Sequence, residues 1–297
     1  MTLATPTNPP PAAAMGPRVA WWRGAFALYA LSLRQHRHGK RWIIMAVLAL
    51  LPVLLAIITR SSETGVSGRV LEFDLVFMLI PQGLLPLIAL VYASGILQDE
   101  QEEQTITYLL VRPISKPLLY GIKLLAAMTA ALIVVLLSTT LTYAAMDAGR
   151  MHQTDAVVRC LQACLIGGLA VITYCCLFGL LGLLTRRVLI AGVIYIALVE
   201  GLLANLPFAI RLITVIYYTR LIAYRTLPFM VPRPGGGTSN IAADAWHFHA
   251  AADPTLAHDP HTWLCVVLLL GAGALCTAAS ALLCASREFY VKTPDKT

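Results

Sequence analysis

The chain is 297 residues long, 58% hydrophobic and only 12% charged, with a net charge of +7 and a mean hydropathy of +0.75. A soluble domain carries about 25% charged residues, so half that share excludes an ordinary soluble protein and places the chain in a bilayer. The basic residues fall mainly at the ends of apolar segments, where they set membrane orientation, and this excludes nucleic acid as the partner.

Residues 1–17 are rich in Pro and Ala, with no charged side chain and no apolar period. They read as a disordered N-terminal tail. Over 18–41 the pattern changes: Val19, Trp22, Phe26, Tyr29 and Leu33 recur along one helical stripe, ringed by Arg18, Arg23, Arg34, Arg37, Lys40 and Arg41. This predicts a basic amphipathic interfacial helix held to membrane lipids by anionic head groups and by its tryptophans, with packing on a soluble partner as the plain alternative.

Residues 42–286 form the transmembrane domain, followed by a cytoplasmic tail at 287–297. Crossing a hydrocarbon core takes about 20 helical residues. Six runs meet that requirement, near 42–59, 75–97, 118–143, 160–184, 188–207 and 263–285. The fold class is therefore an all-α integral membrane protein with six transmembrane helices. No small-residue cleavage site follows a short apolar run, so no cleaved signal peptide is expected. With the N-terminus inside, Arg112, Lys116, Lys123, Arg186, Arg187 and the C-terminal basic residues fall on the same side, and the excess of Lys and Arg there places both termini in the cytoplasm.

The stretch 99–117, DEQEEQTITYLLVRPISKP, is the most polar interval between spans. Asp99, Glu100, Glu102 and Glu103 would suit a helix N-terminus and Arg112 its C-terminus, while Pro113 ends the segment and Pro117 opens the next. Ile106, Leu109 and Leu110 then share one face. Two readings stay open on these grounds: a solvated acidic loop, or a short cytoplasmic docking helix.

Within the spans, Gln82 lies between Pro81 and Pro86, where the second helix is expected to bend and to line a pathway. Lys123 sits about one turn inside the third span and can snorkel to its surface. Gly167, Gly168, Gly179, Gly182 and Gly192 are expected to let the fourth and fifth helices pack closely. Glu200 is the carboxylate inside a span, in IALVEGLLANLP, with Asn205 following it. A carboxylate at that depth serves either as a proton-relay group or as an interfacial hydrogen-bonding group. All seven cysteines lie in or beside apolar segments and are read as small core residues.

Between the last two spans, 208–262 is the longest outer loop. Arg211, Thr214, Tyr218 and Arg225 share a helical face, which predicts an amphipathic helix over 208–225 lying at the outer surface. Residues 232–262 read as irregular. His247, His249, His258 and His261 are of metal-ligand type, but their spacing in a loop is weak and no metal is assigned. No phosphate loop, nucleophile elbow or HExxH motif occurs, so the chain has no visible means of hydrolysing a nucleotide and no catalytic residue is assigned.

The residues 100–123 resemble the permease subunit of type-2 ATP-binding-cassette (ABC) transporters. The matching positions are Glu100, Glu102, Thr105, Ile106, Leu109, Leu110, Pro113, Ile114, Ser115 and Lys116, with Lys123 in the place of the lysine that opens the third span. Gln104 departs from the glycine common before the threonine. The segment 200–223 is similar to the family's stretch after span five, and REFYVK at 287–292 is a weaker match. The resemblance implies a coupling helix at 99–117 seated in a cytoplasmic ATPase subunit. Glu100, Glu102, Glu103, Thr105, Ile106, Leu109, Leu110, Arg112 and Pro113 would form the contact, and a second permease chain, identical or not, would complete the unit. ATP and Mg would sit on the ATPase, none on this chain. The membrane would be a bacterial-type inner (plasma) membrane, and the function an ATP-driven permease, an exporter by type. Two alternatives stand beside it: an ion-coupled secondary transporter using Glu200, with Gln82 and Asn205 as further pathway groups, and a membrane enzyme built on the outer histidines.

Overall fold

The computed structural model describes residues 17–38, 41–62, 67–102, 115–148, 154–185, 187–206, 209–232, 237–246 and 260–286. The tail 1–16 and residues 287–297 lie outside the described residues. So do the contact positions Glu103, Thr105, Ile106, Leu109, Leu110, Arg112 and Pro113.

Helix α1 covers Pro17–His38 and α2 Arg41–Ser61. Three consecutive pieces, Gly68–Glu72, Phe73–Leu84 and Leu85–Glu102, join through residues of right-handed helical conformation into one rod, α3. Helix α4 runs over Lys116–Met146 and α5 over Thr154–Leu184. Helix α6 begins at Val188–Tyr195, widens over Ile196–Leu202 into π winding and tightens over Leu203–Asn205 into 3₁₀ winding. A 3₁₀ turn at Ala209–Ile213 leads into α7, Val215–Thr226. A hairpin of β1 (Met230–Pro232) and β2 (Thr238–Asn240) precedes α8 (Ile241–Ala245) and the last helix, α9 (Thr262–Ser286).

Six of these helices are long and apolar enough to cross a membrane: Trp42–Ser61, Gly68–Ile96, Lys116–Met146, Asp155–Leu184, Val188–Asn205 and Thr262–Ser286. The second and fourth begin earlier in the chain than hydropathy alone suggests, because charged residues (Arg69, Glu72, Asp155, Arg159) are drawn into their first turns. Helices α3 and α5 form the centre: their apolar windows are 67% and 61% buried, against 22% for α2 and 17% for α9. The exposed large residues of α2, such as Ile43, Ile44, Val47 and Leu54, are what lipid-facing helices present.

Close approach is concentrated at two glycines. A Cβ at Gly179 of α5 would lie 2.6 Å from the Tyr120 hydroxyl, and one at Gly192 of α6 would lie 2.2 Å from Leu90 Cδ1. Gly167 and Gly168 have ordinary contact distances, 3.5 and 3.4 Å. The tight glycines thus seat α5 on α4 and α6 on α3, rather than α5 and α6 on each other. Between helices, the Ser138 hydroxyl donates to Ala49 O at 2.8 Å and Thr173 Oγ1 to Leu269 O at 3.3 Å, tying α2 to α4 and α5 to α9. All seven cysteines are free thiols.

Helix α1 lies against α4 and α2. Of its predicted stripe, Trp22 and Phe26 are exposed and Tyr29 and Leu33 half-buried; the buried positions, Leu28 and Ser32, lie beside that stripe. Tyr29 donates to Thr129 Oγ1 at 3.1 Å, and His36 meets Tyr92 edge-on.

Candidate functional site

The sequence points to two regions, the α3–α4 connection and the polar residues within the spans, and the described residues bear on each differently. At the connection, the backbone of residues 99–102 forms the last turn of α3 rather than the first turn of a new helix, and α4 restarts after Ser115 with Pro117 in its first turn. The expectation that Asp99 and Glu100 head a separate helix is therefore corrected; α3 continues through them, beyond its apolar run, to Glu102. Just inside α4, Lys123 is buried and its Nζ donates to Ile96 O at 3.4 Å. A lysine expected to reach outward instead binds the neighbouring helix beside its exit from the core.

The span polar groups converge at the opposite, distal end of the bundle. Glu72 accepts from Arg159 Nε through both oxygens, at 2.8 and 3.0 Å, and from the Tyr143 hydroxyl at 2.7 Å. Arg69 adds a contact to Glu72 at 3.3 Å and one to Asp155 at 2.6 Å. Arg159 also donates to Pro228 O at 3.3 Å and lies over the Phe229 ring at 5.5 Å. This buried cluster joins α3, α4, α5 and the segment after α7. Arg60 donates to Met146 O at 2.7 Å and to Ala148 O, closing the end of α4.

Glu200 is buried and bound chiefly by backbone. It accepts from the amides of Val215 and Ile216, at 3.2 and 3.1 Å, and from the Tyr195 hydroxyl at 3.2 Å. A carboxylate on the first free amides of α7 satisfies donors that a helix start leaves unpaired and meets the positive end of its dipole. Thr214 adds a cap, accepting from Tyr217 N at 3.4 Å. Asn205 donates to Gly201 O at 2.6 Å and accepts from Arg220 at 3.0 Å.

These contacts revise the expectation for 208–225. A surface helix would keep one face exposed, yet Val215, Ile216, Tyr217, Thr219, Arg220, Leu221, Ile222 and Ala223 are all buried, as is Arg211. The helix and the 3₁₀ turn before it are enclosed because their buried arginines find internal partners: Arg220 meets Asn205 and the Trp246 ring at 5.9 Å, and Arg211 meets the Tyr217 ring at 5.2 Å. Burial pushes the Arg220 guanidinium down to about 10, with the fields of Tyr174 and Glu200 acting the other way. Part of the loop expected to be irregular is also ordered. Gly237, just before β2, takes a positive φ (+100°), and Asn240 caps α8, accepting from Ala242 N at 3.1 Å. His247, His249 and His258 lie outside the described residues; the carbonyl of His261 accepts from Leu264 and Cys265 at the start of α9.

Gln82 sits in the π-wound part of α3, beside Pro81, and donates to Met78 Sδ at 3.1 Å. The winding there is π over Phe73–Leu84, with Pro81 inside it. Two features escaped sequence reading, Glu72 and the π winding. The acid at the margin of an apolar run and the Pro81–Pro86 pair were their faint signals.

Six apolar helices around a polar distal cluster define a multi-pass membrane protein. The family model described as ABC-2 family transporter protein matches residues 33–204, more than half of the chain, and the chain belongs to that family. It is thus an ABC permease, a membrane transport component, and family membership implies an ABC ATPase partner. No curated protein matches the sequence.

Proposed function

We propose that the protein is the non-catalytic permease subunit of an ATP-driven exporter. The 99–117 segment couples it to a separate cytoplasmic ATPase that carries ATP and Mg. A second permease chain, identical or a sibling, completes the pore, in a bacterial-type inner membrane with both termini cytoplasmic. The carrying observation is the family match over 33–204, which contains the whole α3–α4 connection. The described backbone supports it: α3 extends beyond its apolar run to Glu102, and α4 restarts at Lys116. Acidic residue types in the last turn of a helix gain nothing from its dipole, so their charge is available to a basic partner. The contact set is Glu100, Glu102, Glu103, Thr105, Ile106, Leu109, Leu110, Arg112 and Pro113. Glu200 is held by amide donors, which favours an anchoring role for it over ion coupling.

The test is affinity purification of the full chain in mild detergent from its native cells. A phosphate-loop ATPase is expected to come with the wild type. The Glu100→Lys/Glu103→Lys variant is expected to insert normally and to lose that ATPase or its stimulated hydrolysis. Normal co-purification and stimulation in the double variant would refute the coupling assignment.

A further inference from the structure

Helix α3 is the most enclosed of the spans, yet one stripe of it is left uncovered: Leu71, Asp74, Met78, Gln82, Gly83 and Leu87, of which Asp74 is exposed and the others half-buried. Residues four apart share a helix face, and the bond from Gln82 Nε2 to Met78 Sδ at 3.1 Å shows that alignment directly. The Trp246 ring nitrogen donates to the same sulfur at 3.4 Å, so the stripe borders the distal layer. A Cβ on Gly83 would meet nothing within 4 Å, so open space lies beside it. The uncovered faces of α2 and α9 carry Leu54 and Ile58, and Leu268, Leu275 and Leu282, as lipid contact requires. The α3 stripe instead carries a carboxylate, a thioether and an amide. Asp74 lies six residues, about 9 Å, inside the span Gly68–Ile96, and its side chain is too short to reach back to the helix start. Among the described residues no charged or hydrogen-bonding partner acts on it. A carboxylate on the outside of a span is costly against lipid and marks a water-filled path.

We propose that the Asp74–Gln82 stripe of α3 faces the transport path and binds a substrate of one chemical class, a monovalent organic cation with an apolar body. The inference rests on the permease reading, in which a second chain completes that path. Asp74 supplies the countercharge, and the Gln82 amide oxygen adds an acceptor one helical turn past Met78. Met78, Leu71 and Leu87 give the apolar body a surface, the thioether adapting to its shape. An inorganic cation such as calcium needs six or more oxygen ligands, whereas Asp74 and Gln82 are the oxygen-bearing side chains of the stripe. An anion of the same shape would meet the Asp74 charge with no cation to offset it, so the site selects by sign.

The test uses the full-length chain in lipid nanodiscs, without its ATPase, and radiolabelled tetraphenylphosphonium as the probe. Saturable binding above that of empty nanodiscs is expected, and tetraphenylborate, the same shape with the opposite charge, is expected not to compete. Asp74→Asn is expected to weaken binding about tenfold. Asp74→Glu should keep it, as should Asp155→Asn, which removes a carboxylate bound to Arg69 outside the stripe. Absence of saturable binding, equal competition by tetraphenylborate, or undiminished binding in folded Asp74→Asn would each overturn the inference. Met78→Cys asks independently whether the stripe meets water, since the native thiols lie within apolar helices. A cationic methanethiosulfonate is expected to modify it faster than an anionic one, and Asp74→Asn to abolish that preference. Reaction with neither reagent would mean that lipid or the second chain covers the stripe, and refutes the site. Failure of an ATPase to co-purify would refute the coupling reading, whereas loss of these cation results refutes this inference alone.

Discussion

At the scale of single residues, the distal cluster separates a strong interaction from a weak one. The Glu72–Arg159 side chains are 6% and 5% exposed, so neither has water to fall back on. Removing one partner of such a pair typically costs about 3–5 kcal/mol, because the other charge is left uncompensated. Glu72→Gln is therefore expected to unfold the purified protein at a much lower temperature than wild type. Arg69→Gln is expected to cost less than about 1 kcal/mol, since the Asp155 side chain it grips is 65% exposed. Equal losses in the two variants, read by thermal unfolding in detergent, would deny the cluster its internal role. Glu200→Gln tests the anchor in a different way. An amide oxygen can still accept from one amide of α7, so the variant should lose about 1–2 kcal/mol as a cap is weakened yet keep its transport per folded molecule. A proton relay would lose transport outright. Glu200 stood out in the sequence as a carboxylate among apolar residues, but its two amide partners did not, because every residue except proline carries such a donor and no composition reveals which ones it meets.

At the scale of elements, helix contacts were legible where small residues made them cheap and obscure where geometry was irregular. The glycine-rich runs of α5 and α6 announced close packing. Which neighbour each glycine meets depends on helix rotation, and only Gly179 and Gly192 have less room than a methyl group needs. The π winding of Phe73–Leu84 left almost no trace, since a widened turn does not alter the apolar period from which a helix is read. Gly192→Ala is expected to destabilise the protein by about 1–3 kcal/mol through overpacking against Leu90. Leu90→Ala should be costly by itself through the void it leaves. The combined variant should be more stable than the two losses summed, since the added methyl occupies that void. Strict additivity in the cycle would mean that α6 and α3 do not meet at this pair.

At the scale of the whole molecule, the six spans and their class were readable because lipid tolerates only segments that satisfy their own backbone. That constraint writes itself into hydropathy. The distal layer was not readable to the same degree: the segment Ala209–Thr226 buries Arg211 and Arg220, which by transfer cost alone belong at a surface. It is enclosed because Asn205, Trp246, Tyr217 and the Glu200 carboxylate lie in other parts of the chain and come together only on folding. The alternation of six spans puts the β1–β2 hairpin and the α3–α4 connection at opposite ends, and the proposed orientation, which rests on the Lys and Arg bias, has the connection facing inward. Exposed positions exist at both ends, Thr238 on β2 and Ser115 before α4, and the seven native thiols lie within apolar helices. Thr238→Cys is therefore expected to react with a membrane-impermeant thiol reagent applied to intact cells, and Ser115→Cys only after the membrane is permeabilised. The reverse pattern would invert the topology and move the acidic segment away from the compartment that holds ATP. On the proposed coupling the ATPase would then lose its contact, so the orientation of these two residues is the physical condition on which that proposal rests.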